Sequence, residues 1–128
     1  MRLLLDTHTF LWFILDDPQL SAAAKTAVED PTNDVEISPA TYWEIAIKIR
    51  HGKYTLPQPY HPFVEQQIAV NSFRILHIEP IHTALLTTMS MHHKDPFDRL
   101  LVAQALAEGI TIVSEDSALD PYGVTRLW

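Results

Sequence analysis

Short apolar runs alternate with helical segments along the whole chain, and this alternation is the feature that most constrains the fold. Five segments have strand character: RLLL (2–5), DVEIS (34–38), FRILHI (73–78), ITIVS (110–114) and a short last one, VTRLW (124–128). Most of them are apolar along most of their length, which is typical of strands covered on both faces. Strands that alternate with helices predict an α/β fold with a central, mainly parallel sheet.

Proline, glycine and serine mark the boundaries of the helical segments. Ser21 and Ser38 are suited to N-cap positions, Pro96 suits the first turn of a helix, and Gly109 suits the position after a last turn. A proline-rich loop is expected at 54–62 and a turn around Asp120. The predicted helices span 7–15, 22–30, 39–50, 63–71, 81–90 and 96–108.

Composition bounds the class of protein. The chain has 128 residues, 47% of them hydrophobic and 20% charged, which suits one globular domain over 1–128. It has no cysteine, so it holds neither a disulfide nor a zinc site built on thiolates. No apolar run reaches the roughly 18 residues of a membrane span, and the N-terminus is typical of a strand rather than a signal peptide. We therefore expect a cytoplasmic protein without a membrane segment.

Net charge constrains the partners. The formal net charge is −7, which argues against a nucleic-acid binder because phosphate contacts normally need a basic surface. Two divalent cations held by carboxylates would change −7 to −3, since −7 + 4 = −3. Any nucleic-acid function must therefore bring a metal with it.

Two of the predicted strands end on acidic residues. Asp6 follows the first strand, and Glu115 and Asp116 follow ITIVS. In open α/β sheets ligands bind beyond the carboxyl ends of the strands, so these acids predict a shared site. Each also has a simpler explanation, because Asp6 could cap a helix and the later pair could lie in a polar loop.

Two further acids lie on predicted helices. Asp98 stands three residues after Asp95, and this spacing suits a helix cap as well as a carboxylate that points into a site. Glu44 lies too deep in its helix to be a cap. Its pattern alone favours a solvated face, on which Glu44 and Lys48 form an i,i+4 pair.

Histidine and tryptophan are less informative. None of the seven histidines has the HExxH spacing of a zinc site. His92 and His93 are expected in a solvated loop, although a loop that precedes Asp98 could border a substrate groove. Trp12, Trp43 and Trp128 are expected in the core or at an interface.

Four segments in a fixed order carry a family resemblance: LLLDTH, SPATYWEIAIK, HKDPFDRLLVAQA and IVSED. Together they resemble the PIN domain, and within it the VapC toxins of prokaryotic type II toxin–antitoxin pairs. The resemblance covers the whole chain and implies a three-layer α/β/α sandwich and an endoribonuclease that depends on Mg²⁺ or Mn²⁺. The acids that match the family's metal site are Asp6, Glu44, Asp98 and Asp116. Glu115 departs from the pattern of many relatives, so the choice between Glu115 and Asp116 stays open.

The resemblance also implies partners. We expect an RNA substrate, a homodimer, and a cognate antitoxin whose apolar helix binds near Trp12 and Trp43 and whose basic tail reaches the acids. Two alternatives remain. One is a phosphatase or phosphotransferase with Asp6 as nucleophile, although His8 stands where such enzymes carry a second aspartate. The other is a non-catalytic binding module whose acids only cap helices and solvate loops.

Overall fold

The computed structural model describes residues 1–128 and has the predicted order of strands and helices. A five-stranded, all-parallel sheet has the strand order β3-β2-β1-β4-β5. No helix is both long and apolar enough to cross a bilayer. The elements are β1 (Arg2–Leu5), α1 (Thr7–Ile14), α2 (Ala22–Glu29), β2 (Asp34–Ile37), α3 (Pro39–Arg50), α4 (Tyr60–Val70), β3 (Arg74–Ile75), α5 (Pro80–Leu86), α6 (Pro96–Glu108), β4 (Thr111–Val113), a 3₁₀-helix (Ser117–Tyr122) and β5 (Arg126–Leu127).

The central strand β1 contributes to a hydrophobic core on each face of the sheet. Leu3 and Leu5 belong to one buried cluster, whereas Leu4 belongs to a second cluster that includes residues of α6. Successive side chains of a strand point to opposite faces, so both faces of the sheet are packed. The predicted three-layer α/β/α sandwich is confirmed.

Several elements differ from the prediction, and β5 is limited to Arg126–Leu127 within the predicted strand 124–128. Strand β3 is two residues long because β2 ends at Ile37 and offers it no further backbone partners. Helix α4 begins at Tyr60 instead of residue 63, because Pro62 lies in the first turn, where its missing N–H is no loss. Helix α5 ends at Leu86, earlier than predicted, and a 3₁₀-helix occupies the predicted turn around Asp120.

A polar network closes the amino end of the sheet. The Arg2 guanidinium donates to the buried Glu36 from Nε (2.8 Å) and to Glu108 from Nη2 (3.1 Å). The fully buried His82 also contacts Glu108, through Nε2 at 3.0 Å. Hydrogen bonds from His82 and Arg2 hold the pKa of Glu108 below its usual value. This network joins β1 and β2 to α5 and α6, far from the strand ends that carry Asp6 and Asp116.

The topology of the sheet places the expected ligand site at the opposite, carboxyl edge. From β1 the chain passes to β2 on one side, whereas β4 pairs with β1 on the other side. The crevice between β1 and β4 is therefore a topological switch point, where open α/β sheets bind ligands. Asp6 follows β1 at this point, and residues 114–116 follow β4.

Candidate active site

Asp6 caps helix α1 and lies at the carboxyl end of β1, next to β4. Its backbone N–H donates to the Val113 carbonyl (3.2 Å), which holds the residue between β1 and β4. Its Oδ1 accepts the backbone N–H of Thr9 (2.8 Å) and so caps α1. The side chain is buried, yet Oδ2 takes no part in the cap and remains available to a ligand.

Glu44 lies in the interior, so the predicted solvated face is wrong. Its side chain is buried on α3 and forms no ion pair with Lys48. The Thr7 hydroxyl donates to Glu44 Oε1 at 2.7 Å, across the packing of α1 against α3. Thr7 starts α1, as expected, and also fixes the orientation of this carboxylate.

Asp98 is not part of a capping box. Asp95 caps α6 by accepting the N–H groups of Phe97 and Asp98, but the Asp98 side chain does not return to the Asp95 backbone. Burial raises the pKa of Asp98 to about 7; the negative charges of Asp95, Glu44 and Asp6 contribute, and His93 opposes the shift. The Asp98 carboxylate therefore lies within electrostatic range of the other acids.

Asp116 and Glu115 differ in their contacts with the neighbouring side chains. Asp116 Oδ1 caps the 3₁₀-helix by accepting the N–H of Ala118 (3.0 Å), and Oδ2 lies 3.1 Å from His93 Nε2. Its backbone N–H donates to the buried Ser114 hydroxyl. Glu115 is exposed and forms no hydrogen bond or ion pair with His93. Of the two residues, Asp116 is the one that lies beside Asp98.

His93 is a member of the cluster that the sequence did not predict. Its Nε2 lies 3.4 Å from Asp98 Oδ2 and 3.1 Å from Asp116 Oδ2. Its Nδ1 accepts the N–H of Asp95, so a neutral ring carries its proton on Nε2 and donates it toward both acids. The only hint in the sequence is a histidine two residues before a helix N-cap, where its ring can accept the cap's N–H.

Aromatic side chains border the acids. Burial raises the pKa of Tyr54, and the charges of Glu44 and Asp6 raise it further. The Tyr54 hydroxyl lies 3.3 Å from His8 Nε2. Trp43 on α3 was expected in the core or at an interface. Its side chain is 60% exposed and packs edge-on against Phe97, with the ring centroids 5.2 Å apart.

His93, Asp98 and Asp116 are close enough to share one ion, since a ligand atom from each lies within 4.8 Å of the others; the predicted acids Asp6 and Glu44 lie near this group. Asp6 and Asp116 line one cleft, Asp98 and Asp116 share His93, and Glu44 and Asp6 lie close enough to Asp98 to raise its pKa. No lysine or arginine forms an ion pair with any of the four predicted acids. Oxygen ligands of this kind suit Mg²⁺ or Mn²⁺, so the residues fit a divalent cation.

Comparison with known proteins identifies the family. The sequence profile described as the PIN domain matches residues 3–123. The chain belongs to the PIN domain family. This PIN domain is 27% identical over 117 residues to Ribonuclease VapC22 of Mycobacterium tuberculosis (strain ATCC 25618 / H37Rv), a match that covers 91% of this chain and 88% of the relative.

Solved structures share the fold of this PIN domain. VapBC2 from Rickettsia felis, bound to a DNA fragment from its promoter, matches with a TM-score of 0.69 and 15% identity, over 99% of this chain and 98% of that one. FitAcB from Neisseria gonorrhoeae matches with a TM-score of 0.68 and 17% identity, over 98% and 96%. At these identities the likeness shows the fold.

Proposed function

We propose that this PIN domain is a metal-dependent endoribonuclease and the toxin of a type II toxin–antitoxin pair. The observation that carries the proposal is that Asp98 and Asp116 meet at His93 near the switch point of the sheet, while Asp6 lines the same cleft as Asp116 and no lysine or arginine pairs with these acids. The ribonuclease name of the relative VapC22 supports an RNA substrate. The resemblance to VapC toxins supports the place in a toxin–antitoxin pair.

In this proposal the acids Asp6, Asp98 and Asp116 hold Mg²⁺ or Mn²⁺. When bound, the cation supplies Lewis-acid activation of water and neutralises charge at the phosphate. Glu44, held by Thr7 through Oε1, presents Oε2 to the ion or to the attacking water. Water adds in line to the phosphorus and the P–O3′ bond breaks, so the products carry 5′-phosphate and 3′-hydroxyl ends.

The proposed partner is an antitoxin with an apolar helix and a basic tail. A cluster of carboxylates on a chain of net charge −7 attracts arginine or lysine, which would pair with the acids and exclude the cation. The exposed Trp43 supports an anchoring surface for the apolar helix on α3. The homodimer remains a prediction of the family resemblance.

Cleavage of RNA by the purified chain tests this function. We expect a labelled single-stranded RNA to be cut with Mg²⁺ or Mn²⁺, left intact with EDTA, and left intact by Asp6→Asn. Glu29→Gln, on the exposed face of α2, is the matched control and should cut like the wild type.

Other outcomes would support the alternatives. A trapped phosphoryl group on Asp6 would indicate a phosphotransferase. No cleavage, together with no rise in melting temperature on adding Mg²⁺ or Mn²⁺, would indicate a non-catalytic module, because a cation that binds the folded site must stabilise it.

A further inference from the structure

A cleft of about 380 Å³ opens beside the acids, and the proposed chemistry uses only part of it. Two of its lining residues, Asp6 and Asp116, belong to the proposed metal site. A substrate whose phosphate lies at these acids therefore extends its neighbouring nucleotide into the cleft. The cleft is lined by Asp6, His8, Trp12, Glu115, Asp116 and Ser117.

One wall of the cleft is aromatic and is supported from behind. His8 and Trp12 are four residues apart on α1 and share a helix face, with ring centroids 5.5 Å apart and ring planes at 33°. Trp12 packs against Trp128 at 5.8 Å, and Tyr54 contacts His8 through its hydroxyl. Rings held in place on one side and open to a cleft on the other suit the stacking of a nucleobase.

Glu115 provides an acceptor at the same cleft. Its side chain is exposed, and it forms no ion pair or side-chain hydrogen bond with the rest of the chain. An ionised carboxylate only accepts hydrogen bonds, so it selects ligands with N–H or O–H donors. Among the RNA bases, guanine has two adjacent donors on its Watson–Crick edge, N1–H and the exocyclic amine, which match the two oxygens of one carboxylate.

The charge of the chain also favours this way of holding RNA. A net charge of −7 disfavours long-range attraction of the RNA backbone, whereas stacking on an aromatic ring needs no positive charge. Stacking of this kind needs an unpaired base, since bases in a duplex are already stacked.

We propose that this cleft is a nucleobase subsite for single-stranded RNA that favours guanine next to the cleaved bond. The base stacks on His8 and Trp12, and Glu115 accepts its two N–H groups. The inference rests on the proposed ribonuclease function and adds the substrate preference of that site.

Sequencing the cut ends of an RNA pool randomised in sequence tests the role of Glu115. We expect guanine to be enriched about tenfold at one position beside the cut, within the range of a bidentate base contact. Glu115→Gln should lose that preference and move toward adenine, because an amide has one acceptor and one donor, which match the N6 donor and an adjacent ring-nitrogen acceptor of adenine. Glu65→Gln, remote on α4, is the control and should keep the wild-type profile.

Steady-state kinetics on a short guanine-containing RNA test the stacking wall. His8→Ala and Trp12→Phe should raise KM about tenfold or less with little change in kcat, since one stacked base is affected. Wild-type KM in both variants would overturn the stacking. Cleavage without a base preference, or an unchanged preference in Glu115→Gln, would overturn the subsite while leaving the ribonuclease intact. Absence of any cleavage by the wild type would overturn both.

Discussion

Replacing Asp98 by asparagine is expected to stabilise the metal-free protein at pH 8 while removing RNA cleavage. The pKa of Asp98 is raised from 3.8 to about 7 in the folded state, chiefly by burial. Since the unfolded chain has the lower pKa, charging Asp98 opposes folding. The cost is absent below about pH 4, grows as the pH rises, and is complete above about pH 7.

The size of this cost follows from the shift in pKa. A rise of about 3 pKa units at 1.36 kcal/mol each gives a ceiling of about 4 kcal/mol. The side chain is 25% exposed and lies beside His93, so solvent and a polar neighbour reduce the cost. We expect a gain of about 2 kcal/mol for Asp98→Asn at pH 8, or roughly 8 °C in melting temperature.

Thermal unfolding of both proteins in EDTA at pH 8 and pH 5 measures this effect. The gain of Asp98→Asn should shrink toward pH 5, where the wild-type carboxyl is already protonated in the folded state. Adding Mg²⁺ at pH 8 should then stabilise the wild type more than the variant. If Asp98→Asn were less stable than the wild type at both pH values, Asp98 would be a helix-stabilising residue and the account of its burial would be wrong.

Three further predictions concern other parts of the molecule. Thr7→Val should lower kcat about tenfold with KM nearly unchanged, because it removes the hydroxyl that orients Glu44. Steady-state kinetics on a labelled RNA would measure both constants. A change in KM alone would contradict the prediction. Arg2→Ala should lower the free energy of unfolding, measured in urea, by about 1–2 kcal/mol because it leaves the buried Glu36 unpaired. RNA cleavage per folded molecule should stay the same. A free energy of unfolding equal to that of the wild type would contradict the prediction. Mn²⁺ should raise the melting temperature of the wild type but not of Asp6→Asn, and an equal rise in both would place the ion elsewhere.

The layers of the fold could be predicted because they depend on local pattern. The apolar run at 2–5 and its successors indicate strands buried on both faces, and Pro96 and Gly109 mark the two ends of the helix over 96–108. The length of β3 could not be predicted in the same way. It depends on where β2 ends, and that is a property of a partner strand remote in sequence.

The candidate site, too, could be predicted only where a residue's role follows from its local sequence. Asp6 and the pair Glu115 and Asp116 could be predicted from their positions after strands, since carboxyl ends of parallel strands meet at one edge of the sheet, but the choice within the pair could not. Glu44 could not be assigned from its helix pattern, because a polar face looks the same whether it meets solvent or the Thr7 hydroxyl 37 residues away. His93 was missed because its role depends on the fold of a loop, in which the Asp95 N–H turns the ring toward Asp98 and Asp116.

Direct titration with Mn²⁺ tests most simply whether the four acids act as one metal site. Binding would be measured by electron paramagnetic resonance of free Mn²⁺, for the wild type, for the asparagine or glutamine variant of each acid, and for Glu29→Gln as control. We predict saturable binding by the wild type and the control, and binding at least tenfold weaker in Asp6→Asn, Asp98→Asn and Asp116→Asn, with a smaller loss in Glu44→Gln. Wild-type affinity in all four acid variants would contradict the proposed site.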